Sequence, residues 1–387
     1  MTLPPLTHQE ILRYSRHLLL PQIGLQGQQK LKQASVLIIG GGGLGSPAAL
    51  YLAAAGVGTI GIVDFDTVSE SNLQRQILYG QTAIGQPKAH AAHARLHDLN
   101  PHIQIHTYNQ PFTSHNARRI AAPYPILLDA TDNFPTRYLI NDLAVLEGKI
   151  AIYGAIYRFD GQISVFNPRT GPCYRCIYPA PPPPELTPTC AEGGVLGVLP
   201  GIIGALQATE ALKHLLGIGS PLTGKLLLYD ALETTFQTIR LHKNPRCRIC
   251  GEHADLHDLT DYPEFCGLPQ NHLHPQENHA GAEWNLTPQQ FRDRLQTFPP
   301  PLLLDVREPH EQHIATLAGA QNLPLGTLPQ HLHTLPQDRD LLIYCKSGVR
   351  SSHALQILHS AGFRRAYHLT GGINAWAQQI DPSLPIY

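Results

Sequence analysis

This chain carries little charge and no excess of either sign. Of its 387 residues only 15% are charged, with 28 Lys+Arg against 29 Asp+Glu, a net charge of -1. That balance argues against a protein that binds nucleic acid or an anionic membrane through electrostatics. Long apolar runs are missing too. The longest, Val195 to Leu206, is 12 residues, is broken by Gly197, Pro200, Gly201 and Gly204, and is too short to span a bilayer. The first residues show no basic region followed by an apolar stretch and a small-residue cleavage site, so no secretory signal is expected. Cysteine parity is odd: there are seven, four of them in two C-x-x-C pairs. In a chain of this length that pattern reads as metal or catalytic chemistry in a reducing compartment, which places the protein in the cytoplasm. No internal repeat is visible.

The chain does show an alternation of apolar strands and helical segments. Val36 to Ile39, Ile60 to Val63, Ile126 to Asp129 and Ile150 to Tyr153 read as buried strands, while Pro47 to Ala55 and Lys88 to Leu99 read as helices. This rhythm predicts βαβ units and a mostly parallel sheet. The runs Gln162 to Phe166, Leu226 to Tyr229 and Thr234 to Leu241 are spaced as an antiparallel extension. Periodicity then lapses over residues 251–281, where irregularly spaced histidines read as a solvated linker in preference to a metal-binding tract, with Cys266 a bystander. A second α/β pattern begins at residue 282. Thr287 to Gln290 predicts a helix start, Leu302 to Val306 and Leu341 to Cys345 are strands, and Ser351 to Ala361 is a helix. The expected domains are therefore residues 1–250, a linker at 251–281, and residues 282–387.

Two loops carry chemistry. Gly40 to Gly45, with sequence GGGGLG, comes after the first strand and opens a helix. Gly40, Gly42 and Gly45 fit a dinucleotide fingerprint, with Asp64 at the next strand end suited to a ribose hydroxyl. A nicotinamide oxidoreductase is the first reading, but the residues beyond Asp64 favour a triphosphate. Arg75 and Lys88 add cations to the amide donors, and Asp132, in Asp129 to Asn133, suits a Mg²⁺ ion. The second loop, Cys345-Lys-Ser-Gly-Val-Arg350, sets a cysteine between a strand and a helix start. Backbone amides, Lys346 and Arg350 there favour a thiolate nucleophile and would cradle a persulfide anion. Four residues separate Cys345 from Arg350, a tighter ring than the five-residue spacing of cysteine phosphatases, and one that suits sulfane sulfur. Arg307 is expected to brace this loop or to pair with Glu308 or Glu311. The pairs Cys173/Cys176 and Cys247/Cys250 read as one tetrahedral four-thiolate zinc site, with a redox role for one pair as the competing idea.

The motifs GGGGLG, DFDTVSESNLQRQ, GQPK and DATDN resemble the MoeB/ThiF family, relatives of the ubiquitin-activating enzymes, from about Arg13 to Cys250. Asp305-Val-Arg307-Glu308, the Cys345 loop and Gly371 to Trp376 resemble a rhodanese domain. The resemblance implies a Rossmann-like α/β domain joined to a smaller α/β rhodanese domain. It implies ATP and Mg²⁺ at Gly43, Asp64, Ser71, Asn72, Leu73, Gln74, Arg75, Lys88, Asp132 and Asn133. Arg16 would reach the ATP of a partner subunit, which makes the protein a homodimer. The family adenylates the C-terminal glycine of a ubiquitin-like sulfur carrier (MoaD/ThiS-like), with sulfur supplied by thiosulfate or a cysteine desulfurase. The paired cysteines match its structural zinc site. Cys190 matches a cysteine that can form a thioester or mixed disulfide with the carrier, and as a bystander thiol it stays open. Other readings are a thiosulfate sulfurtransferase with a vestigial nucleotide domain, a non-catalytic carrier-binding scaffold, and the oxidoreductase already named.

Overall fold

A computed structural model describes residues 3–182, 193–260, 262–266 and 283–387. The chain divides into two compact units, Met1–Leu273 and His274–Tyr387. In the first, eight strands form one sheet in the order β3-β2-β1-β4-β5-β6-β7-β8. They are β1 (Ser35–Ile39), β2 (Thr59–Val63), β3 (Gln104–Tyr108), β4 (Ile126–Asp129), β5 (Ile150–Tyr157), β6 (Asp160–Phe166), β7 (Lys225–Asp230) and β8 (Thr235–Arg240). Neighbours from β3 to β5 pair in parallel, and β5 to β8 pair antiparallel. The parallel core and its extension match the expectation from sequence. Strand β3 has no counterpart in that expectation. It is the sheet edge, mostly half-exposed, and lacks the continuous apolar run of a central strand.

Alternation fixes the two faces. Val36 and Ile38 of β1 enter one core with Leu52, Ile60 and Ile203, while Leu37 and Ile39 enter the other with Tyr138, Leu143 and Tyr153. Both sets are buried, which is why β1 reads as an unbroken apolar run. Chain order reverses between β1 and β4, and the crevice outside the ends of such strands is where open α/β sheets take ligands. The helices Gly45–Ala54 and Phe134–Leu146 begin there.

The first unit extends past residue 250. The short helix Tyr262–Phe265 packs Tyr262 and Cys266 into the second core, and the Tyr262 hydroxyl donates to Asp142 Oδ2 at 2.9 Å. This part of the expected linker is core, because aromatic residues separated by polar ones still bury when a partner surface exists. In the second unit five parallel strands run β11-β10-β12-β13-β9. They are β9 (Asn285–Leu286), β10 (Leu302–Asp305), β11 (Gln321–Asn322), β12 (Leu341–Tyr344) and β13 (Ala366–Leu369). Cys345 comes directly after the central strand β12. Among the described residues no helix is long and apolar enough to cross a membrane.

Candidate functional site

At the end of β1 the glycine turn folds back on the sheet. Gly40 has φ +99°, and a Cβ there would lie 2.6 Å from Ala130 O. A Cβ on Gly45 would lie 2.0 Å from Gly40 O. Both positions therefore require glycine. Asp64, at the end of β2, locks this turn: Oδ2 accepts the Gly41 N–H at 2.8 Å and Oδ1 accepts the Asp66 N–H at 2.9 Å. Burial pushes the Asp64 carboxyl up, against the pull of Lys88 and the two amides. Lys88, itself buried, reaches Asp66 Oδ2 at 2.9 Å. The Tyr79 hydroxyl donates to Gly41 O at 2.8 Å.

The remaining expected nucleotide residues arrive on the segment after β2. Asn72 closes the 3₁₀ turn Glu70–Asn72, and Arg75 Nη1 donates to Ser71 O at 3.1 Å. The Arg75 side chain runs past Gly43, its Cγ 3.7 Å from where a Cβ would stand. Gln74 contacts the segment preceding the helix Leu199–Leu216, donating to Val195 O at 3.4 Å, while Ser71 stays exposed and Leu73 half-buried. Asp132 and Asn133 are exposed on the loop after β4, where Asn133 caps the helix Phe134–Leu146 by accepting the Thr136 N–H at 2.9 Å. The tertiary structure thus gathers Gly43, Asp64, Arg75 and Lys88 on one sheet edge. Arg16 is exposed on the helix Ser15–Leu18, its side chain without a hydrogen bond or ion pair among the described residues. Cys190 lies outside the described residues.

Several polar groups at this edge carry no usable signal in the sequence. Asp129 is buried and accepts from Thr131 N at 3.0 Å, Thr131 Oγ1 at 2.6 Å and Arg137 Nε at 3.3 Å. Burial raises its pKa, and Arg137 and Thr131 draw it back. Arg137 also donates to Thr131 O at 3.1 Å and lies 5.0 Å from the Tyr153 ring centre. It thereby ties the loop that carries Asp132 to the sheet. Its trace in the sequence is an arginine eight residues beyond a strand-end aspartate, too weak to use alone. Gln76 leaves Oε1 buried without a partner among the described residues, with its Nε2 beside Gly42. That orphaned acceptor suits a hydroxyl of a nucleotide on the turn.

Cys173, Cys176, Cys247 and Cys250 converge although 70 residues separate the pairs, and all four ligand atoms lie within 4.8 Å of one another. Sulfur separations of 3.8, 3.6, 3.4 and 3.4 Å exceed any disulfide. They approach the edge of about 3.8 Å expected for thiolates about 2.3 Å from a tetrahedral ion. The four therefore fit a metal ion.

In the second unit Cys345 is 1% exposed, with Sγ accepting the Gly348 N–H at 3.1 Å. The loop rests on Gly372, whose Cβ would meet Lys346 O at 2.4 Å and Cys345 O at 2.5 Å. Ile373 N donates to Cys345 O at 2.8 Å. Arg350 sends its hydrogen bonds to Glu311, and against the pull of burial Glu311 and, after it, the charge of Cys345 raise the Arg350 pKa. Arg350 lies in the first turn of the helix Val349–Ser360 and forks onto Glu311, Nη1 to Oε2 at 2.6 Å and Nη2 to Oε1 at 2.8 Å. Arg307 takes neither Glu308 nor the Glu311 carboxylate. Fully buried, it pairs with Asp305 through Nε at 2.8 Å and Nη2 at 2.6 Å, and it also donates to the Tyr387 hydroxyl. The preference is geometric: Asp305 is two residues away at the end of β10, while the Glu311 carboxylate is taken by Arg350.

Residues 14–249 match the ThiF family and residues 287–379 a rhodanese-like domain. A Mycobacterium tuberculosis protein named probable adenylyltransferase/sulfurtransferase MoeZ is 45% identical over 100% of this chain and 99% of its own. The sulfur carrier protein adenylyltransferase of Thermus thermophilus is 54% identical, covering 68% of this chain and 98% of itself. The Drosophila sechellia adenylyltransferase and sulfurtransferase MOCS3 is 42% identical over 99% of this chain and 86% of its own. Among solved structures, E. coli MccB with ATP matches at TM-score 0.55 and 22% identity, over 62% of this chain and 74% of that one, a likeness of fold alone. With its glycine turn clamped by Asp64 at the sheet switch point and its Cys345 loop on a second parallel sheet, the chain belongs to the ThiF family and carries a C-terminal rhodanese-like domain.

Proposed function

We propose that the protein adenylates the C-terminal glycine carboxylate of a ubiquitin-like sulfur carrier with ATP, and then converts that terminus to a thiocarboxylate with sulfur from Cys345. One observation carries the reading: a nucleotide-type turn backed by Lys88 and Arg75, and a buried, amide-cradled cysteine, occupy one chain. In the first step a carboxylate oxygen attacks the α-phosphorus, the bond to pyrophosphate breaks, and an acyl-adenylate results. The glycine turn and the N-terminus of the helix Gly45–Ala54 face the phosphates. Lys88 and Arg75 offset the charge that builds on the leaving pyrophosphate. A Mg²⁺ ion, held through Asp132, would neutralise phosphate charge. Arg16, exposed and unpaired among the described residues, would serve the ATP of a second subunit in a homodimer.

In the second step the terminal sulfur of a Cys345 persulfide attacks the acyl carbon and AMP leaves, giving an acyl disulfide. A second thiol, external or Cys190, attacks the Cys345 sulfur and releases the thiocarboxylate, and Cys345 is left in a disulfide with that thiol. The persulfide comes from a sulfane donor such as thiosulfate or a cysteine desulfurase. Zinc at the four cysteines would pin the loop after β6 to the segment after β8 and take no part in catalysis.

The test separates the two chemistries. Carrier-dependent ATP–pyrophosphate exchange should vanish in Asp132→Ala and persist in Cys345→Ala, while thiocarboxylate formation, read by mass spectrometry of the carrier, should be lost in both. Exchange surviving Asp132→Ala would remove that residue from the mechanism. Thiosulfate turnover with no pyrophosphate release for any carrier would favour a sulfurtransferase with an idle nucleotide domain.

A further inference from the structure

The sulfur of Cys345 has a second polar neighbour that the proposed chemistry has not used. Ser351 Oγ stands 3.5 Å from Sγ, 3.1 Å from Gly348 O and 3.2 Å from His368 Nδ1. Ser351 is fully buried, and His368, on β13 opposite Ile343, is 6% exposed. The hydroxyl has one proton for three neighbours, so its direction depends on the state of the sulfur. In the thiol form S–H donates to Oγ, and the hydroxyl proton goes to Gly348 O. An anionic sulfur has no proton to give and needs donors.

The surroundings allow the hydroxyl to reverse. Gly348 O already accepts the Ser352 N–H at 3.0 Å, so it can release Ser351 without being orphaned. Burial pushes His368 down to about 4. At neutral pH the ring is therefore uncharged, carries a single proton, and is no base for the thiol. If that proton sits on Nδ1, the ring donates to Oγ and leaves the hydroxyl proton free for sulfur. Of the other charged groups around Cys345, Arg350 hydrogen-bonds Glu311 while its charge also acts on Cys345, and Arg307 hydrogen-bonds Asp305 and the Tyr387 hydroxyl. Lys346 Nζ lies 5.0 Å from the Tyr387 ring centre. None of these hydrogen bonds reaches Ser351 or His368.

We propose that His368 and Ser351 form a relay that stabilises the anionic sulfur of Cys345, His368 Nδ1–H donating to Ser351 Oγ and Ser351 O–H donating to Sγ. Both are positioning residues, His368 acting through Ser351. The inference rests on Cys345 being the sulfur-bearing thiol, but it makes a separate claim about the thiolate. On the full-length protein, the rate of Cys345 alkylation by iodoacetamide is measured against pH by mass spectrometry of its peptide. Ser351→Ala should move the midpoint upward by about one unit, which is about a tenfold loss of rate below it, and leave the high-pH plateau unchanged. His368→Leu should move the midpoint the same way. His368→Asn, whose amide donor falls near Nδ1, should restore it.

A Ser351→Ala or His368→Leu profile that superimposes on that of the unsubstituted protein overturns the relay, as does a His368→Asn profile that matches His368→Leu. Ring ¹⁵N shifts of His368 in the unsubstituted protein give a check that no misfolded variant can spoil. An Nδ1-protonated ring above the thiol midpoint supports the relay, and an Nε2-protonated ring refutes it. Failure of Cys345 to load sulfane sulfur would defeat the proposed function instead, leaving the alkylation profile to judge the relay.

Discussion

Replacing Arg137 with leucine should show how the loop bearing Asp132 is held. Arg137 and Asp129 are both buried, and the arginine supplies the cation against which the aspartate carboxylate is balanced. Removing one partner of such a pair costs about 3–5 kcal/mol, because the other charge is left buried and unpaired. For a unit of this size about 1 kcal/mol moves the melting point by about 2–4 °C, so Arg137→Leu should lower the first unit's transition by about 6–20 °C. The double variant Asp129→Asn/Arg137→Leu removes both charges and should recover much of that loss. Burial already raises the Asp129 pKa above its unfolded value, and loss of Arg137 raises it further. The folded state then binds the proton more tightly than the unfolded chain does. Stability of the single variant should therefore fall as pH rises from the unfolded carboxylate's about 3.9 through the elevated native value, and its deficit should shrink in acid. Calorimetry of the three proteins at pH 5 and pH 8 reads both effects. If the single and double variants melt together at both values, the buried pair is not what holds this loop.

Three further outcomes are expected from the geometry. Cys176→Ser, or exhaustive chelation, should remove one zinc per chain by elemental analysis and lower the first unit's melting point while leaving the second unit's unchanged. Gly372→Ala forces a Cβ into two loop carbonyls at φ +62°, so thiocarboxylate formation should drop at least tenfold while pyrophosphate exchange is retained. Burial tends to raise the Glu311 pKa, but the Arg350 fork prevails and holds it below the usual value. Its contribution is present above the unfolded carboxylate's about 4.3 and is lost as pH falls through the lower native value. Glu311→Gln should cost about 2 kcal/mol at pH 7 by denaturant titration, and nothing once the carboxylate is protonated.

Motifs whose chemistry is local are legible without coordinates. Gly40 to Gly45 announces a tight strand-to-helix turn, because only glycine tolerates φ +99° and the approach of Gly45 to Gly40 O. Central strands such as Val36 to Ile39 announce themselves because both faces are buried. Edge strand β3 does not, since a half-wet strand carries no continuous apolar run. Asp64 is legible as a strand-end acid, although its two oxygens hold backbone amides.

The two α/β patterns, the glycine turn, the thiol loop and the paired cysteines can all be read from linear order, because spacing and backbone sterics act within a few residues. Which charges are spent on each other is a matter of packing. Arg350 is taken by Glu311, 39 residues earlier, and among neutral groups Ser351 is taken by His368, 17 residues later. Such pairings are set by which strand lies beside which, a long-range outcome of the fold that no local window contains.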